Sequence, residues 1–288
     1  MAIGDTELGA TKQEIIEATA QRALIQETVT LGTIRDVSAR AVKGAESISF
    51  PKYGSLFTVE KRASGVDGTN QDPVFAKDTM ALSERAHIQW VADMNDKIES
   101  TLDVDREMIE LAGAEHGRQI DIDCNLQFEA AGIPTATAGD LTQDVVLEMR
   151  QILLKNKANL NRMYLKVSPD QESVLLKIDP FVSADKYGSA IIPQGVLGKI
   201  YGVNVVMDCE LAANTYYMYD SMGMAFGFQR GPQFDEVKYP QQGAGAMLQV
   251  LDQKYGIKAL QIDAQRAVDA AGAALTGGLS AWIVKDAN

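Results

Sequence analysis

Apolar residues near the start of the chain recur at the spacing of one helix face. The pattern runs over residues 11–31, and charged residues fill most of the other positions. Thr11 and Glu14 have the capping-box spacing and Gly32 is a favoured stop, so the pattern predicts an amphipathic helix. Such a helix either packs on its own domain or forms an arm that packs on a neighbour. The apolar stripe consists of Ile16, Ala20, Ala23, Leu24 and Leu31.

Between residues 46 and 97 the apolar residues change to the alternation of β-strands. Ile48 and Phe50 flank a serine, and Asp67 with Gly68 is the strongest hairpin signal in the chain. The pattern predicts a long two-stranded ribbon. Because two strands alone are marginally stable in water, the ribbon needs another surface to lie on. A long ribbon can reach past its own domain, which is a first indication of an oligomer.

Helical spacing returns over residues 102–131 and predicts one long helix. Gly113 and Gly117 weaken this helix by about 1 kcal/mol each relative to alanine. Two glycines in a long helix favour either close packing against a neighbouring element or a bend. The Gly-Ile-Pro sequence at residues 132–134 ends the helix.

From residue 138 onward, helix and strand patterns alternate, which predicts a mixed α/β region. A glycine inside one predicted strand, at residues 199–207, is expected to mark a bulge. Predicted helices begin at Asp140 or Thr142, at Ser168 with Gln171 as its capping-box partner, and at Gly243. Predicted strands cover residues 163–167, 199–207, 216–219, 224–228, 234–239 and 255–261.

The composition is that of a globular protein with an excess of acidic residues. The 288 residues include 27 Lys and Arg against 39 Asp and Glu, which gives a formal net charge of −12. At 46% apolar residues the chain can bury a core, which argues against intrinsic disorder. Proteins that grip nucleic acid neutralise phosphates with clustered Lys and Arg. The charge therefore argues against such a protein, but it suits one that lies near nucleic acid without holding it.

Several features predict the compartment. The apolar runs are all shorter than the ~18 residues that a membrane span needs, so no membrane partner is expected. The polar N-terminus lacks the layout of a signal peptide. The chain has only two cysteines, Cys124 and Cys209, which excludes a disulfide scaffold and favours buried free thiols. We therefore expect a soluble protein of a reducing, cytoplasmic setting.

Candidate catalytic residues are few. The two histidines are His87, in a predicted strand, and His116, in the long helix. Asp121 and Asp123 lie close to His116 in sequence, but helix positions two apart do not share a face. We expect these carboxylates to be structural or solvated, and the sequence predicts no enzyme.

The motifs that hold cofactors or metals are incomplete. Gly243 and Gly245 lack the third glycine of a dinucleotide-binding fingerprint, and the motif from Gly278 to Trp282 lacks the last glycine of a nucleophile elbow. The acidic loop at residues 67–72 lacks the spacing and the glutamate of an EF-hand, so a hairpin tip is favoured over a calcium site. The sequence therefore predicts neither a cofactor nor a metal.

The order of these parts resembles the major capsid proteins of tailed double-stranded-DNA phages, the Hong Kong 97-type fold. Five segments between about residues 12 and 262 carry the resemblance. KGAESISFPKYG at 43–54 is similar to the start of the family's extended loop, and GRQIDID at 117–123 to the middle of its spine helix. VSPDQ at 167–171 with LLK at 175–177 resembles a strand-to-helix step, GKIYGVNVV at 198–206 a strand pair, and YGIK at 255–258 the closing strand.

The resemblance implies an α+β fold with two compact domains and two outward-reaching segments. The implied N-terminal arm covers residues 1–44, and the extended β-hairpin loop covers residues 45–97. The implied peripheral domain, which contains the spine helix, covers residues 98–137 and 231–254. The mixed α/β axial domain covers residues 138–230 and 255–262, and a C-terminal tail follows at residues 263–288.

The resemblance also implies a role, partners and contact residues. Copies of the chain would form the hexamers and pentamers of an icosahedral virion shell, which is assembled in the host cytoplasm. The packaged DNA would lie close to this shell without being bound specifically. A portal protein and, since the arm leaves no room for a scaffolding extension, a separate scaffolding protein are further expected partners. Implied subunit contacts are Lys52, Phe57, Val59, Val66, Asp67 and Phe75 in the loop, and Ile16, Leu24 and Leu31 in the arm.

Three points stay open at the level of sequence. The tail at residues 263–288 extends past the family's usual end. Lys52, Lys61 and Lys77 are candidates for a crosslink between subunits by position alone. An encapsulin-type nanocompartment shell, which shares the fold, and a small α/β enzyme are the alternative functions.

Overall fold

The computed structural model of the chain describes residues 5–53, 60–61, 68, 70, 75–92, 104–135, 139–175, 177, 196–238, 246–261 and 279–286. This part of the chain is α+β, with helices and strands interleaved along the sequence. Its helices are α1 (Asp5–Glu27), α2 (Val104–Ala131), α3 (Gln143–Lys155) and α4 (Pro169–Leu175), with short 3-10 turns at Ser38–Arg40 and Leu160–Arg162. Among these helices, none combines the length and the apolar character that crossing a membrane requires.

The described strands form three sheets. A four-stranded sheet has the order β1-β10-β11-β4, a six-stranded sheet the order β5-β12-β9-β6-β8-β7, and β2 pairs with β3 alone. In chain order the strands are β1 (Arg35–Asp36), β2 (Ser47–Tyr53), β3 (Phe75–Ala81), β4 (Glu84–Ala92), β5 (Ile133–Pro134), β6 (Met163–Val167), β7 (Val196–Ile200), β8 (Val203–Met207), β9 (Tyr216–Asp220), β10 (Met224–Lys238), β11 (Met247–Ala259) and β12 (Ile283–Lys285).

The chain divides into two compact units. The first consists of Met1–Glu46, Ala81–Asn125 and Phe226–Ile257, and the second of Ser47–Met80, Leu126–Ala225 and Lys258–Asn288. Both units therefore draw on three separated stretches of the sequence, and α2 and β10 contribute residues to each.

In the first unit, α1 and α2 pack in parallel at the two glycines of the long helix. A Cβ atom on Gly113 would lie 2.5 Å from the carbonyl oxygen of Ala20, and one on Gly117 would lie 2.8 Å from that of Leu24. Such distances are too short for a real side chain, so only glycine permits this approach. The prediction that the glycines mark close packing is confirmed.

The bounds of α1 differ from those predicted. The helix begins at Asp5 rather than Thr11, so the predicted capping box does not form. It ends at Glu27, before Gly32. The carboxylate of Asp121 on α2 accepts hydrogen bonds from the backbone N–H groups of Val29 (2.9 Å) and Thr30 (3.0 Å) just beyond that end. A contact between residues far apart in sequence therefore holds the chain in place at the end of the helix.

The four-stranded sheet completes the first unit and corrects two expectations. The helix predicted from Gly243 is wrong, because β11 occupies Met247–Ala259 and pairs antiparallel with β4 in an unbroken register from Met247–Ala92 to Tyr255–Glu84. For the same reason β4 is not part of the predicted ribbon. The core of this unit contains Ala20, Ile109, Ala112, Phe234 and Leu251, with Ile16, Ile88 and Trp90 packed against it.

The second unit is built on the six-stranded sheet, with α3 packed on it. Thr142 caps α3, because its side chain accepts a hydrogen bond from the N–H of Val145 at 3.4 Å. Of the two predicted starts of this helix, Thr142 is therefore the correct one. The buried face of α3 supplies Val145, Val146, Met149, Ile152 and Leu153 to the core. Strands β6, β8 and β9 supply Met163, Leu165, Val167, Val203, Val205, Tyr216 and Met218.

The strand predicted at residues 199–207 is in fact a hairpin. Strands β7 and β8 pair antiparallel and are joined by Tyr201 and Gly202, whose φ angles are +49° and +84°. Two consecutive positive φ angles are typical of the type I′ turn that joins antiparallel strands tightly. The glycine in this segment therefore marks a turn. The irregular pairing lies elsewhere, between Val196 and Gly198.

The last described strand, β12, lies inside the six-stranded sheet. It pairs parallel with β5, Val284 opposite Ile133, and antiparallel with β9, Ile283 opposite Tyr219. Ile283 and Val284 are fully buried. This part of the region expected as a C-terminal tail is therefore an internal strand of the fold.

The helix predicted to start at Ser168 is confirmed in position, but its predicted capping box does not form. Gln171 is fully buried and its carbonyl accepts a hydrogen bond from the N–H of Leu141 at 2.8 Å. Its amide nitrogen donates to Asp140 and Asn214, at 3.3 Å each. Gln171 therefore links three segments of the second unit instead of capping α4.

Candidate functional site

The loop residues predicted to contact other subunits fall only partly within the described chain. Phe57, Val59, Val66 and Asp67 lie outside the described residues, as does most of the acidic loop at residues 67–72. Lys52 lies in β2 and Phe75 begins β3, and only their backbone positions are described. The predicted pairing of two strands at the base of this loop is confirmed by the β2-β3 sheet.

One face of the β2-β3 ribbon is buried within its own chain. Ile48, Phe50 and Met80 are buried and alternate with exposed residues, as the sequence pattern of β2 indicates. Asp78, on the same face of β3, is 2.6 Å from the ammonium of Lys258 and accepts a hydrogen bond from the N–H of Gln261 at 2.9 Å. The base of the ribbon therefore has a surface of its own to lie on.

The three arm residues differ in how much surface they leave free. Leu24 is fully buried where α1 meets α2, whereas Ile16 and Leu31 are half-buried. Of the two interpretations of the first helix, these contacts match a helix packed on its own domain. The side chain of Leu24 is fully buried within the single chain, and the contact predicted for it stays a prediction. Contacts through Ile16 and Leu31 stay predictions.

The two aspartates of α2 that lie near His116 in sequence both accept hydrogen bonds from other elements. Asp121 holds the chain beyond α1, as described above, while Asp123 accepts hydrogen bonds from the hydroxyl of Tyr255 (2.6 Å) and the amide of Gln119 (3.0 Å). Burial, together with this bond to Asp123, raises the pKa of Tyr255 well above its usual value. Both carboxylates are thus engaged in structural hydrogen bonds, on different sides of the helix, as their spacing predicts.

His116 is 1% exposed, and burial lowers the pKa of its imidazole from 6.5 to about 4. The nearby amide of Gln253 offsets part of this shift, and the proximity of His87 adds to it. Within the described residues, neither ring nitrogen of His116 and neither amide atom of Gln253 meets a partner in hydrogen-bonding geometry. His116 is therefore a neutral, buried imidazole that lies beside the side-chain amide of Gln253.

A pocket of about 390 Å³ lies in the first unit beside His116. It is lined by residues 84–88 of β4 and Tyr255 of the neighbouring β11 on the sheet, and by Glu115, Gln119 and Asp123 on α2. Both histidines of the chain line it. In the part of the chain that the structure describes, no three His, Cys, Asp or Glu side chains are arranged to hold a metal ion.

Sequence patterns missed two charged clusters. Asp252 accepts a two-point hydrogen bond from Arg85 (2.9 and 3.0 Å) and also binds Arg230. In the second unit, Lys166 and Asp208 form an ion pair of 2.6 Å in which both side chains are at most 2% exposed. The only signal for this pair is a lysine within an apolar strand and an aspartate directly after the next one.

The cysteines are separated along the chain and differ in exposure. Cys124 is buried and Cys209 is exposed, and both are free thiols. The prediction of a buried thiol holds for Cys124 and is wrong for Cys209, which follows Asp208 in the turn after β8.

Comparisons with solved structures identify the architecture. A structure from Mycobacterium phage Che8 has a TM-score of 0.69 at 13% sequence identity, and the match covers 90% of each chain. The mature capsid of bacteriophage PhiM1 has a TM-score of 0.62 at 12% identity, covering 90% of this chain and 86% of the other. A virus-like particle from Pyrococcus furiosus has a TM-score of 0.60 at 11% identity, covering 95% and 98%.

The sequence comparisons found no match. No family model matches the chain, and no curated protein matches it. The likeness therefore lies in the structure, where it extends over about nine-tenths of the chain. The chain has the fold of the major capsid proteins of tailed phages, as the resemblance in the sequence implies.

Proposed function

We propose that this chain is the major capsid protein of a tailed double-stranded-DNA phage, which self-assembles into an icosahedral shell around packaged DNA. The observation that carries the proposal is the match to the PhiM1 mature capsid over 90% of this chain and 86% of that one. A match of this extent concerns the whole subunit rather than a module shared by unrelated proteins. It supports a structural, non-enzymatic role in the virion.

The proposed subunit keeps the organisation that the resemblance implies, except that β4 and β12 belong to its sheets and not to the loop and the tail. An arm at residues 1–44 and a loop at residues 45–97 join subunits into hexamers and pentamers. The half-buried Ile16 and Leu31 support the arm's part in this, because each keeps surface for a partner. The peripheral domain at residues 98–137 and 231–254 and the axial domain at residues 138–230 and 255–262 form the wall of the shell.

The partners of the proposed shell follow from its task. Scaffolding and portal proteins guide assembly in the host cytoplasm, and packaged DNA lies against the inner wall. The net charge of −12 suits that wall, because an acidic surface repels the phosphate backbone and leaves the DNA free to move during packaging. Many weak contacts between copies give a stable shell once it closes.

Electron microscopy of the full-length protein, expressed alone and together with its scaffolding protein, tests the proposal. We expect closed icosahedral particles in at least the second preparation. Monomers or small closed oligomers in both preparations would contradict a shell function.

A nanocompartment shell of the encapsulin type is the second candidate. It is favoured by the match to the Pyrococcus furiosus virus-like particle, which covers 95% of this chain and 98% of that one. The contents of particles from the native source separate the two candidates. Double-stranded DNA inside supports the phage capsid, and an enzyme as cargo supports the nanocompartment.

A further inference from the structure

Helix α1 carries apolar side chains on two sides, and one of these sides is exposed. Ile15 is 63% exposed and Ile25 is 61% exposed. Ala18 and Arg22 are exposed between them, so the four residues have the spacing of a stripe that can pack along another helix. We call these four residues the outer stripe of α1. Exposed apolar residues that are grouped in this way indicate an interaction surface.

The outer stripe points away from α2 of the same chain. Helix α1 approaches α2 at Ala20 and Leu24, which lie two positions after Ala18 and Arg22. Two positions turn an α-helix by about 200°, so the outer stripe lies on the side opposite this contact. The outer stripe therefore stays exposed when α1 packs within its own chain.

Helix α2 has an exposed surface of its own in the same unit of the chain. Met108 is 43% exposed and Leu111 is 59% exposed, and Glu107 beside them is exposed as well. Leu111 lies two positions before Gly113, where α1 approaches closely, so it too points away from that contact. We call Glu107, Met108 and Leu111 the outer face of α2.

The outer stripe and the outer face carry opposite charges. Among the described residues, neither the guanidinium of Arg22 nor the carboxylate of Glu107 forms an ion pair. The exposed acidic residue Glu14 lies two turns from Arg22 on α1. The arginines of α2 are paired within their own helix, Arg106 with Glu110 and Arg118 with Glu115. Each surface thus combines large apolar side chains with one charge that no described side chain neutralises, and the two charges are complementary.

We propose, on the basis of the shell function proposed above, that the outer stripe of α1 in one copy packs on the outer face of α2 in a neighbouring copy, with Arg22 opposite Glu107. Burial of the exposed isoleucines, methionine and leucine supplies most of the affinity. The ion pair sets how the two helices align. A contact of this size is weak by itself, but a closed shell repeats it many times.

Charge favours a contact between unlike surfaces over a contact between like surfaces. Two outer stripes packed together would place two Arg22 guanidiniums in one interface, and neither stripe contains a carboxylate. Two outer faces packed together would do the same with two Glu107 carboxylates. Like charges brought together oppose association. A contact between unlike surfaces also leaves one surface free on each partner, so further copies can add, as a shell requires.

The position of Leu111 makes the contact measurable. Leu111 lies one turn after Glu107 on α2, so in the proposed contact it faces a stripe residue about one turn from Arg22. That residue is Ile25 if the two helices run parallel and Ala18 if they run antiparallel. Within one chain, the outer stripe and Leu111 lie on opposite sides of the helix pair. A bond between them therefore joins two copies.

Disulfide formation between full-length chains tests the contact. Leu111→Cys chains are mixed with Ile25→Cys or with Ala18→Cys chains under assembly conditions, oxidised, and separated on a non-reducing gel. All chains also carry Cys209→Ser, because Cys209 is an exposed thiol. We expect a disulfide-linked dimer in one of the two mixtures and in none of the single variants. Leu147→Cys, at an exposed leucine of α3 outside both surfaces, is the matched control and should form no dimer with Leu111→Cys.

Charge reversal tests the ion pair. Arg22→Glu in the partner with the α1 cysteine, or Glu107→Arg in the partner with the α2 cysteine, should lower the dimer yield roughly two- to fivefold, the size expected for one exposed ion pair. Both changes together, one in each partner, should restore the yield because the charges are again opposite. Asp235→Arg, which reverses an exposed carboxylate of the same unit outside both surfaces, is the control and should leave the yield unchanged.

A different pattern of dimers would overturn the inference. Dimers of Ile25→Cys or Ala18→Cys chains alone would show that α1 pairs with α1, and dimers of Leu111→Cys chains alone that α2 pairs with α2. Failure of the combined charge reversal to restore the yield would exclude the pairing of Arg22 with Glu107.

Electron microscopy of the same mixtures separates this inference from the shell function on which it rests. Closed particles without a dimer in either mixture would exclude the contact and leave the shell function intact. Dimers in one mixture without closed particles, alone or with the scaffolding protein, would support the contact and contradict the shell function. The absence of both dimers and particles would contradict both.

Discussion

Single polar residues are where the sequence patterns predicted least. Gln171 has the spacing of a capping-box residue, yet it links three segments of the second unit. Asp121 was expected to be structural or solvated and holds the chain beyond α1. Spacing along the chain shows which neighbours a side chain could reach locally. It carries no information about partners that are 30 or 91 residues distant, as these are.

His116 should make the stability of the protein depend on pH. Its pKa is about 4 in the folded chain and 6.5 as the ordinary value, so the unfolded chain binds the proton first as the pH falls. Above pH 6.5 His116 is neutral in both states and does not lower the free energy of unfolding. Between pH 6.5 and about 4 it lowers the free energy of unfolding by up to about 1.4 kcal/mol per pH unit.

Urea unfolding of the His116→Gln variant at several pH values across this range measures the effect. The variant should lose less stability on acidification than the unaltered protein, since the carboxylates titrate in both. His87→Gln removes only the smallest cause of the shift, so this comparison variant should keep most of the pH dependence. Parallel pH profiles for all three proteins would contradict the prediction.

At the scale of elements, long patterns predicted well and short ones did not. The long helix appears as Val104–Ala131, close to the predicted residues 102–131, because its apolar face is repeated over many turns. The segment from Gly243 was mistaken for a helix start, since apolar residues alone do not separate a short helix from a strand. Pairing of β11 with β4, about 160 residues earlier, decides that segment.

Gly113→Ala tests the close approach of α1 and α2. Alanine favours the helix by about 1 kcal/mol over glycine, but its Cβ would lie 2.5 Å from the carbonyl oxygen of Ala20. Because that atom belongs to the backbone, the helices must separate, and we expect a net loss of about 1–3 kcal/mol in the free energy of unfolding.

Chemical denaturation compares this variant with Gly32→Ala, where an added Cβ meets nothing within 4 Å. The control should stay within about 0.5 kcal/mol of the unaltered protein. A Gly113→Ala protein that is more stable than the unaltered one would show that the glycine is not needed for packing.

For the whole molecule, the order of elements was more informative than any motif. Each of the five segments that resemble phage capsid proteins is short, and no family model matches the chain. Their order nevertheless implied a fold that the PhiM1 capsid shares over 90% of this chain. The order could not place β12, because the resemblance ended at about residue 262 and the residues before this strand carry little pattern.

Removal of β12 tests whether the second unit needs it. A chain that stops after residue 278 loses Ile283 and Val284, which are fully buried between β5 and β9. Burial of each side chain is worth about 1.5–3 kcal/mol, so we expect at least about 3 kcal/mol of lost stability. Thermal unfolding against a chain that stops after residue 286 measures this loss. Equal midpoints would mean that β12 is dispensable.

The position of β12 also determines when the second unit can be completed during translation. Val284 pairs with Ile133, so about 150 residues must be translated between the two partners of this parallel pair. At typical ribosomal speeds this takes roughly 8 to 30 s, during which β5 lacks its parallel neighbour. A nascent subunit thus cannot finish its larger sheet before residue 286 is made, which delays a complete second unit until translation has passed that point.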